Sequence, residues 1–346
     1  MNRALVVLAL LTAGANAQPV QPMPQTSSPV SELLASAPHV EISNGLITAR
    51  ITPPDPHNGF YNGTRFDQAG IVTSLMLGTK EFYGPWFTRT APEVLDYAYD
   101  ADGAIVAGPD SAVSGPVEEF APLGFEDKTT ALFIKIGVGV LYRPDDAPYD
   151  HYRHYHIVNI GRRSTQTTKD SVSFLQTVNE SGYGYTYQKT LRLVPGKPQL
   201  VIEHVLKNSG DKPIVTTVYD HNFLRLTPGD DGIQVGFPFA VAAASPPAPD
   251  LIRLEGKNLT YLRAMKPKER ISFPITGYGS SASDYDIKIA DQTTGAGVRI
   301  KGDQPITKIN IFSIETVQAV EPYIAIDLPP GAEKRWSYTY TYTAPH

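Results

Sequence analysis

The chain has 346 residues, 30 Lys and Arg against 35 Asp and Glu, a net charge of −5 at pH 7, and no cysteine. This acidic balance leaves no basic stripe for nucleic acid, and the missing thiols exclude cysteine metal sites, thiol nucleophiles and disulfides. A body of about 300 residues buries roughly 75 % of its unfolded surface, so a core can hold it without cross-links.

Arg3, the apolar run Ala4–Leu11 and the small-residue site Ala15-Asn16-Ala17 have the build of a secretory signal. Residues 1–17 are expected to be a removed leader. Residues 18–30, rich in Pro, Gln and Ser, are expected to stay flexible because they cannot bury enough apolar surface to fold. A single domain is expected over residues 31–346, in the periplasm or secreted. No later run approaches the roughly 20 apolar residues of a membrane helix, so no membrane insertion is expected.

Along the chain, Tyr61-Asn62-Gly63-Thr64-Arg65-Phe66-Asp67 forms a Gly turn before the alternating segment Ile71–Leu75. Arg65 there either offers its planar fork of donors to sugar hydroxyls, with Asp67 beside it, or pairs locally with Asp67 to brace the turn. After the turn Gly115-Pro116, Glu118 and Glu119 are adjacent on a strand. Neighbours point to opposite faces, so one of them at most enters a given pocket, and solvated faces account for most such pairs.

The run Tyr149-Asp150-His151-Tyr152-Arg153-His154-Tyr155-His156 places His154 and His156 on one strand face. That spacing suits two metal ligands, but no third ligand or carboxylate is evident. Interleaved rings such as Tyr152 suit the C–H face of a sugar, with His154 meeting its hydroxyls. An exposed polar strand edge is the bland alternative.

Strands are then predicted at Leu132–Tyr142, Ser171–Val178, Tyr185–Val194, Leu200–Lys207, Ile214–Leu226, Ile271–Thr276, Tyr285–Ala290, Gly297–Lys301, Thr307–Ile314, Tyr323–Leu328 and Arg335–Thr343. Each combines β-branched and aromatic residues with period-two alternation between Gly, Pro, Asn and Asp clusters. No long stretch has a helical period. The segment Ala243–Pro249 reads as a surface loop within one all-β domain. His221, in Val218-Tyr219-Asp220-His221-Asn222-Phe223, sits in an apolar strand and needs a buried partner, with Asp220 directed to the other face. Two late glutamates, Glu315 and Glu321, are available to it.

Taken together, the His221-Asn222-Phe223 segment, Ile314-Glu315-Thr316, Val320-Glu321-Pro322 and the turn Pro330-Gly331 resemble the galactose mutarotase (aldose 1-epimerase) superfamily. The resemblance implies a large antiparallel β-sandwich, a galactose mutarotase-like supersandwich, holding a sugar without a cofactor or metal. It implies Glu321 as base and His221 as acid, Glu315 in reserve, and Arg65 as a sugar-binding donor; Asp67, Glu119, Tyr152 and His154 are the further candidates that the residues themselves offer for sugar contact. Two signatures differ: Thr64-Arg65-Phe66 stands for the usual Asn-Arg-Ile, and no histidine has the upstream Leu-His-Gly context, His154 being the nearest by position. A noncatalytic carbohydrate-binding protein and a polysaccharide lyase or hydrolase remain the alternatives on the same sandwich.

Overall fold

The computed structural model describes residues 28–245 and 249–345. The expected leader 1–17 and most of segment 18–30 lie outside the described residues, as does the centre of the Ala243–Pro249 loop. Ser28–Pro29 pairs with Arg89–Thr90, and a seven-residue helix, Val30–Ser36, follows. No helix among the described residues is long and apolar enough to cross a membrane.

The architecture is an all-β sandwich whose pairings are antiparallel except for the two-residue match of Arg89–Thr90 with Val106–Ala107. Among the described residues, a ten-stranded sheet is centred on Tyr183–Leu193, Gln199–Asn208 and Glu333–Thr343. Facing it is a five-stranded sheet made of β1 (Val117–Phe120), β2 (Ile214–His221), β3 (Arg270–Ile275), β4 (Lys308–Ile314) and β5 (Val317–Leu328), in the order β3-β4-β5-β2-β1. Three smaller sheets of three or four strands complete the fold.

Alternation explains how these sequences fill the gap between sheets. Leu200, Ile202, His204 and Leu206 are buried on one face of their strand, and Val218, Ile311 and Ile324 meet that face from the smaller sheet. Between them, Tyr185, Tyr187, Trp336, Tyr338 and Tyr340 supply bulk. A fully buried aromatic ring is among the largest apolar contributions a single residue makes.

Three predicted strands have clearly different bounds. The run Leu132–Tyr142 is a hairpin of Leu132–Lys135 and Gly139–Tyr142, because Gly137 turns the chain at φ 84°. A Cβ there would lie 2.5 Å from the Asp67 carboxyl, so only glycine fits. The strand begun at Ile214 stops at His221, not Leu226, since Phe223 takes the left-handed φ of 42°. Conversely β5 starts at Val317, six residues before the prediction.

Candidate active site

On the five-stranded sheet, one face packs on the ten-stranded sheet and the other floors a cavity of about 230 Å³. Register dictates which residues reach that floor. Tyr219 of β2 pairs with Tyr323 of β5 and with Glu119 of β1, while Lys308 of β4 pairs with Tyr323. These four form one row. Two residues along, Asn310 pairs with Glu321, and continuing the β2–β5 register puts His221 opposite Glu321, giving a second row on the same face.

His221 and Glu321 meet directly. Nε2 of the imidazole is 3.1 Å from Oε1 of the carboxyl, and both side chains are buried. Asn310 donates to the other oxygen, Oε2, at 3.0 Å. The ring of Phe223 stacks on His221 with centroids 3.7 Å apart, and Phe66 meets its edge. Asn222, donating to the Val320 carbonyl at 2.6 Å, fastens the bend that brings Phe223 under the imidazole. A non-glycine residue in left-handed backbone costs on the order of 1–3 kcal/mol, and here Phe223 supports the imidazole that meets Glu321.

Electrostatics follow from burial. Desolvation lifts the Glu321 carboxyl from 4.5 to about 7, against the opposing pull of Asn310 and Arg65. Desolvation likewise drives the His221 imidazole well below 6.5, and the Arg65 charge adds to this. Both groups therefore favour their neutral forms, which leaves the pair with one exchangeable proton, carried by Glu321, below about 7.

Arg65 enters from a loop fixed at several points. Thr64 binds Asp110 through its N–H and its hydroxyl, Tyr61 Oη accepts the Phe66 N–H at 3.0 Å, and Gln68 donates to the Gly63 carbonyl at 3.0 Å. A Cβ on Gly63 would stand 2.4 Å from Tyr61 Oη, which explains the glycine. Arg65 Nε then bonds Glu119 at 2.7 Å, and its Nη2 donates to Tyr219 Oη at 3.1 Å. Tyr219 donates in turn to Glu119 at 2.6 Å. Burial alone would raise the Glu119 carboxyl, but Arg65, His151 and Lys135 outweigh it and hold it well below the carboxylate range.

The predicted site residues thus separate into two groups. Arg65, Tyr152, His221 and Glu321 line the cavity, and Glu119 stands directly behind Arg65. Asp67 does not join them: it points into the sandwich, near Lys189 at 3.5 Å, so the local Arg65–Asp67 pair is not formed either. His154 is an exposed loop residue held by Asp110 at 3.1 Å, and His156 is exposed on a strand. Glu315 lies in the turn between β4 and β5, accepting from Tyr99 Oη at 2.8 Å, outside the cavity. Nor are Glu118 and Glu119 solvated: both are buried, on opposite faces of β1.

Sequence reasoning missed His151, Asp96, Tyr219, Tyr323, Arg270, Lys308 and Asn310 on the cavity wall. Period two reaches several of them. Tyr219 is two residues before His221 and Tyr323 two after Glu321, so each shares its neighbour's face. His151 displaces His154 from the expected role because the turn Asp150–Arg153 breaks the assumed alternation and swings His151 Nδ1 to 3.3 Å from Glu119. Among the described residues no group of three His, Asp or Glu side chains has metal-binding geometry.

No model of a known protein family matches the sequence, and no curated protein matches it. Solved structures do. A galactose mutarotase-like protein from Lactobacillus casei superposes with a TM-score of 0.52 at 14% identity, over 88% of this chain and 100% of that one. The GalM/aldose epimerase homologue from C. elegans gives 0.51 at 12%, over 90% and 100%. A galactose mutarotase related enzyme from Lactobacillus acidophilus gives 0.50 at 12%, over 89% and 98%. At such identities the likeness establishes the fold alone: this chain shares the β-sandwich fold of those galactose mutarotase-like proteins.

Proposed function

We propose that the cavity opens and recloses the ring of a small aldose, an aldose 1-epimerase-like isomerisation in an exported protein. The observation that carries this reading is the 3.1 Å contact between His221 Nε2 and Glu321 Oε1 on the cavity floor. Ring opening removes a proton from the anomeric hydroxyl and delivers one to the ring oxygen, two atoms separated by a single carbon. Acid and base must therefore be neighbours, and together must hold one proton.

Starting from ionised Glu321 and protonated His221, the carboxylate takes the hydroxyl proton, the C1–O5 bond breaks, and the imidazolium protonates O5. The pair is left as neutral acid and neutral imidazole, the form its burial favours. After rotation about C1–C2 the step reverses: the His221 imidazole takes the O5 hydroxyl proton, O5 attacks C1 on either face, and the Glu321 acid returns its proton to the carbonyl oxygen. Arg65, pinned by Glu119 and Tyr219, presents its remaining N–H donors to a sugar oxygen without having to be ordered at binding. At about 230 Å³ the cavity falls below the roughly 300–1,000 Å³ of drug-sized sites, which favours one sugar ring over an oligosaccharide and weighs against the lyase alternative.

The experiment is anomer exchange followed by NMR on a panel of free aldoses. Glu321→Gln is expected to slow exchange by about 10²–10⁴-fold while leaving the fold intact. A fully active variant would dismiss Glu321, and binding without exchange in the wild type would favour the noncatalytic reading. Export is checked separately: the mature N-terminus is expected at Gln18.

A further inference from the structure

We propose that the sugar carries a negative charge remote from its anomeric carbon, as in a uronate or a sugar phosphate, and that Lys308 is its counter-ion. This rests on the epimerase reading and names its substrate class.

Three cationic side chains line the cavity, and they are not equivalent. Arg65 is engaged by Glu119 at 2.7 Å. Arg270 faces Asp96 at 3.6 Å and Tyr152 Oη at 3.5 Å. Lys308 is exposed and, among the described residues, forms no ion pair or side-chain hydrogen bond; its Nζ stands 4.5 Å from the centroid of Tyr323. An ammonium above an aromatic face is held loosely and stays available to an anion.

Its position gives the free charge meaning. Lys308 heads the row that continues through Tyr323 and Tyr219, whose rings stack at 4.2 Å, while Glu321 and His221 occupy the next row on the same face. Two residues along a strand span about 7 Å, the scale of a single sugar ring. With C1 over His221 and Glu321, the ring's far side meets the tyrosines and its exocyclic anion meets Lys308. The protein as a whole is acidic, at −5, so an anionic ligand needs local positive charge at the cavity mouth to offset long-range repulsion. The carboxyls beside the cavity already face cations, Glu119 meeting Arg65 at 2.7 Å and Asp96 meeting Arg270 at 3.6 Å, which reduces their repulsion of an anion.

The test is calorimetric titration of wild type, Lys308→Gln and Lys308→Arg with glucuronate, galacturonate, glucose 6-phosphate, glucose and galactose. Lys308 is exposed, so these variants keep the fold. Anionic sugars are expected to bind about tenfold or more tightly than neutral ones, with the advantage shrinking as salt rises, lost in Lys308→Gln and retained in Lys308→Arg. Stronger binding of the uronates assigns a carboxylate ligand, and stronger binding of the phosphate a phosphoryl one. If neutral aldoses bind and exchange as well as anionic ones and Lys308→Gln alters no ratio, this inference is overturned while the epimerase reading stands. If anionic sugars bind through Lys308 but no aldose exchanges anomers, the charge assignment survives and the epimerase reading fails.

Discussion

Glu118 and Glu119 are consecutive in β1, and the sheet sends them to opposite worlds. Glu118 turns inward to His204 at 2.6 Å and to Lys189, which also reaches Asp67 at 3.5 Å and the Ala69 carbonyl at 2.8 Å. Glu119 turns outward to Arg65, Tyr219 and His151. The same division separates Asp220, which accepts from Tyr340 Oη at 2.7 Å inside the sandwich, from His221 on the cavity floor. Both clusters contain a carboxylate driven low by cations and another driven high by burial: Glu118 and Asp220 inside, Glu119 and Glu321 outside. Shifted titration alone therefore does not distinguish them. Access does: the inner cluster is sealed between sheets, whereas the outer one opens on a cavity that admits a ligand.

Three perturbations sharpen this contrast. The largest effect belongs to the sealed cluster. Lys189→Met strips the cation from Glu118 and Asp67 and is expected to cost about 3–5 kcal/mol of stability in denaturant titration, while the folded fraction keeps its ligand affinity. Equal loss of affinity and stability would mean that the two clusters act as one.

Next comes the pH dependence of Glu321. Its folded value, about 7, exceeds the ordinary 4.5, so its stability contribution is fully present below 4.5 and is lost as pH climbs through about 7. Glu321→Gln removes that loss and is expected to exceed the wild type by on the order of 3 kcal/mol at pH 8, with little difference at pH 4. His221 behaves oppositely: its depressed value means stability present above 6.5 and lost as pH falls. Activity has its own limit, because the reacting pair needs one proton; kcat/KM is expected to fall as pH rises through about 7. A rate that increased across that range would contradict the shared-proton pair. Tyr219→Phe should have a smaller effect, about 1.5–3 kcal/mol, from the loss of its bonds to Glu119 and Arg65.

What the sequence disclosed, and what it hid, follows the same physical line. The sandwich was legible because alternation such as Leu200, Ile202, His204 and Leu206 survives in any single strand. The pairing of His221 with Glu321 was legible because both stand in strands whose motifs fix their faces. Asp67 was misplaced because Arg65 and Asp67 lie in an irregular loop, where period two says nothing about direction. Glu118 was hidden for another reason: its partners Lys189 and His204 lie 71 and 86 positions away, and nothing local reveals a buried cation. His151 was lost to His154 by a turn of four residues.

The smallest expected effect is at Glu315, and it tests the choice between the two late glutamates. Both follow an aliphatic residue in the same tail, and both sit in a sequence context expected for the reacting carboxyl. The turn at Glu315-Thr316 separates them, leaving Glu315 half-buried beside Tyr99 while β5 carries Glu321 to the cavity floor. Glu315→Gln can still accept the Tyr99 hydroxyl, so stability should change by no more than about 0.5 kcal/mol. Anomer exchange should proceed at the wild-type rate, against the large loss expected for Glu321→Gln. Were the two variants to lose comparable activity, the cavity floor would no longer distinguish the reacting carboxyl from one that braces a turn.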